Sequence, residues 1–74
     1  MNDYDLLRNW FTHHAPIEGQ VERYTEIRDT GLGFATRLVE LCPESPERST
    51  ALRKLREVVM WANASIACNE EAEQ

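Results

Sequence analysis

Residues 42–47 read Cys42-Pro43-Glu44-Ser45-Pro46-Glu47, and this stretch decides the fold. Pro43 disfavours helical backbone at the residue before it, so a helix arriving from the N-terminal side stops there. Ser45 is a strong N-cap, Pro46 has a fixed φ suited to the first helical position, and Glu47 sets negative charge at the positive helix end. One helix ends and another begins within a few residues. A link this short forces the two helices antiparallel.

N-terminal to the turn, the spacing predicts a helix over Glu18 to Leu41. Val21, Tyr24, Ile27, Gly31, Phe34, Leu38 and Leu41 recur at helical intervals and share a face. Gly31 and Gly33 sit mid-helix, where each costs about 1 kcal/mol relative to alanine. They mark either the close approach of a second backbone or a ligand, or a kink with no function.

C-terminal to the turn, a third helix is predicted to run to about Cys68. Leu52, Leu55, Val59, Ala62 and Ile66 alternate three and four apart, a coiled-coil-like seam. At 1.5 Å per residue this helix is roughly 33 Å long. Val58-Val59-Met60-Trp61 is apolar around nearly a full turn, so it calls for cover on more than the hairpin side. The first helix is expected to cover one side and a neighbouring subunit the other, with Ala62, Ala64 and Ser65 small enough to let a helix approach. The acidic tail, residues 69–74, has no apolar anchor and is expected to fray.

Upstream, Asn2 or Asp3 caps a short helix predicted over Asp3 to Asn9, with Tyr4, Leu6, Leu7, Trp10 and Phe11 as its apolar members. Thr12 to Gly19, with Pro16 and Gly19, reads as a loop. The fold class is all-α: a short N-terminal helix and two long antiparallel helices, a helical hairpin that assembles into a compact homo-oligomer. Residues 1–74 form a single domain: 1–19 short helix and loop, 20–68 hairpin, 69–74 tail.

Composition narrows the function. A chain of 74 residues is marginal alone and needs disulfides, a metal or self-association. Cys42 and Cys68 are the only cysteines and read as reduced packing residues, which leaves oligomerisation as the expected support. The net charge of -5 argues against long nucleic acid as a partner, since that needs a basic face. A small ligand with two or three phosphates remains compatible, because seven of the eight basic residues are arginine, the side chain suited to bidentate phosphate contacts. Base composition explains the same bias equally well. No apolar run spans a bilayer and MNDYDLLRNWF lacks a signal-peptide layout, so a soluble protein without membrane partner is expected.

No enzyme constellation is visible. His13, His14, Cys42 and Cys68 are the only soft metal ligands; adjacent histidines do not easily face one ion and neither cysteine has a CxxC partner, so no metal and no cofactor is expected. The serines and threonines lie in cap or helix-surface contexts, and no phosphate-binding loop appears. The informative group is Arg23, Tyr24 and Arg28, followed by Thr30 and Gly31. Arg28 lies four beyond Tyr24, at the flank of the apolar stripe. It either lays its stem along the stripe with its head in water or binds phosphate at a subunit interface, with an aromatic or imidazole nearby to stack a base.

The run Phe11-Thr12-His13-His14-Ala15-Pro16, then Glu22-Arg23-Tyr24, Glu26-Ile27-Arg28, Cys42-Pro43, Ala51-Leu52-Arg53-Lys54-Leu55 and Met60-Trp61-Ala62-Asn63 resembles the phage anti-CBASS sponge family. Its helical hairpin is shared with Thoeris anti-defence sponges. The resemblance covers Phe11 to Ala67 and leaves out the first ten residues. It implies a three-helix protomer in a compact hexamer that sequesters cyclic di- and trinucleotides of bacterial immune signalling without cleaving them, in the host cytoplasm. It places the phosphate-binding basic residue at Arg28 and the trinucleotide-pocket threonine at Thr30. The family's base-stacking tyrosine falls on His13, a departure that leaves less stacking area. Tyr24 and Asn63 complete the ligand-binding set. The rival is a non-enzymatic interaction or oligomerisation hairpin that modulates a host or phage protein, in which His13 and Arg28 diverge on the surface. A nucleotide hydrolase is disfavoured, since no metal set or base is visible.

Overall fold

The computed structural model describes residues 2–70. Its elements are α1 (Asp3–Phe11), α2 (Gln20–Leu41) and α3 (Pro46–Asn69), with no strand among the described residues. The two long helices pack on each other as a hairpin, as the turn requires.

The boundaries follow the local chemistry. Asn2 is the first cap: its side-chain oxygen accepts from the Asp5 backbone N–H at 2.9 Å. Asp3 and Asp5 favour the same positive helix end. α1 continues to Phe11, two residues past the expected end, since nothing in Trp10-Phe11 breaks a helix. α2 starts at Gln20 rather than Glu18, because Gly19 takes a left-handed conformation (φ +84°) that only glycine adopts without strain. Cys42 is extended ahead of Pro43. Ser45 Oγ accepts from the Arg48 N–H at 3.1 Å and Pro46 opens α3.

The hairpin seam is narrow. Tyr24, Ile27, Gly31, Ala35 and Leu38 of α2 are part-buried against Leu52, Leu55, Val59 and Ile66 of α3. Three expected seam members lie outside it: Val21, Phe34 and Leu41 are 54%, 57% and 66% exposed. Two helices meet along a stripe narrower than the full apolar face, so α2's outlying apolar residues point sideways; Ala35 takes the place that Phe34 was expected to hold. Gly31 is the point of closest approach. A Cβ there would stand 2.6 Å from Val59 Cγ2, whereas at Gly33 it would meet nothing within 4 Å.

The chain is a thin slab, 49 × 28 × 15 Å. A slab about one helix thick has no interior. No apolar side chain among the described residues is fully buried, and Trp10, Phe11, Leu32, Val58, Met60 and Trp61 are all exposed. α1 does not cover the Val58–Trp61 turn as expected: Trp61 remains 73% exposed. Instead α1 docks at the far end of α3, where Asn9 Nδ2 donates to the Cys68 carbonyl at 2.9 Å and its own carbonyl pairs with His14 Nε2 at 2.7 Å.

That end of the hairpin is closed by polar contacts. Gln20 is the one fully buried residue among those described, at 3% exposure. Its Oε1 accepts from the Ile17 N–H at 3.0 Å, and its Nε2 donates to Glu70 Oε1 at 3.0 Å. Arg23 grips the same carboxylate with both guanidinium arms, Nη1 to Oε2 at 2.7 Å. Glu70 is therefore held in place, contrary to the frayed tail expected over 69–74; residues 71–74 lie outside the described residues. The Arg23 and then the Gln20 bonds hold the Glu70 carboxyl down at about 2, from an ordinary 4.5.

Two expectations follow. Gly31→Ala should destabilise the protein by about 1 kcal/mol, because overpacking against the stiff Val59 outweighs the gain in helix propensity. Gly33→Ala should stabilise it by a similar amount. Chemical denaturation of both variants checks the opposite signs. The second concerns pH. A depressed carboxyl stabilises the fold fully above 4.5 and loses that contribution as pH falls toward about 2. The gap in melting temperature between wild type and Glu70→Gln should be constant near neutrality and close across that acid window.

Candidate functional site

The narrow seam leaves a groove on each side of it. Because Gly31, Leu55 and Val59 line both grooves, the wall between them is a single layer of side chains, thinnest where position 31 has no side chain.

The first groove encloses about 580 Å³. Arg28, Leu32 and Ala35 contribute from α2, and Leu52, Arg56, Met60 and Asn63 from α3. A shelf of about 220 Å³ extends it toward the clamped end, lined by Tyr24, Arg28, Asn63, Ala64 and Ala67. The second groove, also about 580 Å³, takes Thr30, Glu26, Ile27 and Phe34 from α2 and Val58 and Ile66 from α3. Pockets of this size with apolar walls and a few polar groups suit small organic ligands.

The sequence-derived candidates divide between these places. Tyr24, Arg28 and Asn63 come together on one side. Thr30 faces the other, two residues on from Arg28 and so well round the helix. His13 is exposed in the loop before α2 and lines neither groove. Arg23, grouped with Arg28 by sequence, is engaged by Glu70 and holds the fold together instead.

Charge pairing sets Arg28 further apart. Arg8 pairs with Asp5, Arg37 with Glu40 and Lys54 with Glu57. Arg48 donates to the carbonyls of Val39 and Cys42 and so braces the turn, and Arg53 donates to Thr50. Arg28 and Arg56 have neither a carboxylate nor a hydrogen-bond partner among the described residues, and both line the first groove. Asn63 is also unsatisfied: its Oδ1 is shielded from solvent and has no hydrogen-bond partner among the described residues. Arg56 was not singled out by the apolar pattern. A search of the polar positions at helical spacing finds it, since Arg56, Met60 and Asn63 fall four and three apart on one face of α3. His13, His14, Cys42 and Cys68 are not gathered into any group of three metal-ligating side chains among the described residues. No helix among them is long and apolar enough to cross a membrane.

The fold defines an all-α helical-hairpin protein. Residues 3–67 match the family model described as Acb2/Tad1, hairpin domain. The chain belongs to that family, the anti-CBASS and anti-Thoeris sponges, which bind cyclic nucleotide signals and are not catalysts. The match begins at residue 3, so α1 is part of the shared domain, beyond the Phe11 limit of the resemblance in the sequence. No curated protein and no solved structure matches the chain.

Proposed function

We propose that this chain is a phage anti-defence protein that binds and sequesters cyclic di- and trinucleotide second messengers of bacterial CBASS immunity, without cleaving them, in the host cytoplasm. The observation that carries the reading is an arginine with no partner among the described residues, Arg28, lining an apolar groove of ligand size beside Tyr24 and Asn63 in a chain of the sponge family. A guanidinium binds a phosphodiester by charge-assisted, bidentate hydrogen bonds, and Tyr24 offers a ring for a base.

Thr30 opens on the other groove. This supports a second site for trinucleotides, separate from the dinucleotide site at Arg28. Binding without cleavage means that each messenger is held by positioning groups alone and returns intact when the protein is denatured.

The active form in this reading is a homo-oligomer, a hexamer by family likeness. A slab with no buried apolar core among its described residues is poorly stable alone, and its exposed Met60 and Trp61 supply faces for further copies. His13 reaches a ligand in such an assembly from a neighbouring copy, since within one chain it lines neither groove. An interaction hairpin acting on another protein is the competing reading, and the separation of exposed His13 from the Arg28 groove within the chain is what favours it.

Titration calorimetry with a panel of cyclic di- and trinucleotides tests the binding. Arg28→Ala should weaken cyclic dinucleotide binding by roughly ten- to a hundred-fold, the loss of a hydrogen bond to a charged group. Thr30→Ala should act mainly on trinucleotides. Undiminished binding by Arg28→Ala, or recovery of linearised nucleotide, sinks the reading. Light scattering tests assembly: the wild type should exceed a monomer's mass severalfold, and Trp61→Ala should lower it.

A further inference from the structure

We propose that Arg56 is a second phosphate-binding residue, facing Arg28 across the first groove so that the two arginines hold one cyclic dinucleotide between α2 and α3, with the Asn63 amide bonding its base. This rests on the function proposed above and adds to it a residue and a mode of recognition.

Positive charge is left over at two positions. The chain carries 13 acidic and 8 basic residues, so carboxylates are plentiful. A surface arginine on a helix ordinarily meets one three or four residues away. Arg28 has Tyr24, Thr25, Gly31 and Leu32 at those positions, and Arg56 has Leu52, Arg53, Val59 and Met60. At those positions neither helix supplies an acid, and the neighbouring Glu57 is taken by Lys54 at 3.8 Å. The other basic residues described all have a carboxylate, carbonyl or hydroxyl partner. The two that lack one line the same groove, one from each wall.

Two like charges about one cavity repel, and an anion placed between them removes that repulsion. The number of charges matches the ligand. A cyclic dinucleotide carries two phosphodiesters, one negative charge each, on a ring whose remaining surface is largely sugar edge and base. Leu32, Ala35, Leu52 and Met60 give the groove an apolar floor against which such a ring sheds water.

Asn63 supplies the third contact. It stands on the Arg56 face of α3, and it lines both the groove and the Tyr24 shelf. A solvent-shielded amide oxygen without a donor is costly in any fold. A base N–H brought into the shelf satisfies it and is stacked by Tyr24 in the same movement. The arginines then supply affinity that is blind to the base, and Asn63 supplies the discrimination.

The test is calorimetric titration of the full chain with cyclic di-adenylate, cyclic di-guanylate and the mixed cyclic dinucleotide, at several salt concentrations. Wild type is compared with Arg28→Ala, Arg56→Ala, Arg56→Gln, Arg56→Lys and Asn63→Ala. Arg56→Ala should weaken every ligand by roughly tenfold, as for a lost charge-assisted bond, and should flatten the dependence of affinity on salt. Arg56→Lys should keep the salt dependence and lose part of the affinity, because a lysine retains the charge but not the bidentate fork. Asn63→Ala should compress the differences between the three ligands with the salt dependence unchanged. Light scattering and melting curves accompany each variant, and Arg56→Gln replaces Arg56→Ala if the shorter side chain lowers stability. Wild-type affinity in both neutral Arg56 variants, with Arg28→Ala weakened, overturns the proposal and leaves the sponge function standing. A fall in assembly mass with both also overturns it, by making Arg56 a contact between copies. A wild type that binds no cyclic nucleotide fails the function itself.

Discussion

A Cβ at position 31 would lie 2.6 Å from Val59 Cγ2, and that contact sets the distance between the two long helices. Any larger residue at 31 would wedge them apart. With glycine there, α2 and α3 close on a stripe of part-buried residues and no more. The grooves on either side are the direct result: they are the space that two cylinders leave when they touch along one line. Their volumes, about 580 Å³ each, depend on how close that line is.

The same closeness fixes the ends. At one end the proline-rich turn joins the helices, with Arg48 donating to the carbonyls of Val39 and Cys42. These are the orphan acceptors at the close of α2, which a helix cannot satisfy internally. At the other end no chain connection exists between α2 and α3. Gln20, Arg23 and Glu70 take its place by gathering the start of α2, the loop before it and the end of α3 around one carboxylate. α1 docks beside this cluster through Asn9. The hairpin is held at both ends by polar groups and along its middle by van der Waals packing, so its sides are left free for ligands or copies.

Charge is distributed in keeping with that division. Arginines near the ends and on the outer faces are paired with carboxylates, backbone carbonyls or, for Arg53, the Thr50 hydroxyl, and so serve the fold. Arg28 and Arg56, in the middle of the helices, border a groove without a partner among the described residues. Arg23 and Arg28 lie five residues apart in one helix and border different grooves, yet one is paired across the hairpin and the other has no partner among the described residues. What separates them is the position of Glu70, which packing of α3 brings to Arg23 and not to Arg28.

The sequence by itself determined the three helices, the antiparallel hairpin and its turn, because capping, proline stereochemistry and helical periodicity are local and act through neighbours in the chain. It also determined the α3 seam of Leu52, Leu55, Val59 and Ile66, and it marked Gly31 as a point of close approach. Tertiary structure decided what depends on groups distant in the chain. It placed Ala35 rather than Phe34 in the seam, since the width of a helix contact is a property of two surfaces. It gave Arg23 to Glu70 and anchored a tail residue that looked free, since an ion pair across 47 positions leaves no periodic trace. It put Thr30 and Arg28 in different grooves, kept His13 out of both, and brought Arg56 and Asn63 to the side of Arg28. A candidate site assembled from two helices is legible only when their separation and rotation are known, and these are set by the glycine contact at the centre of the hairpin.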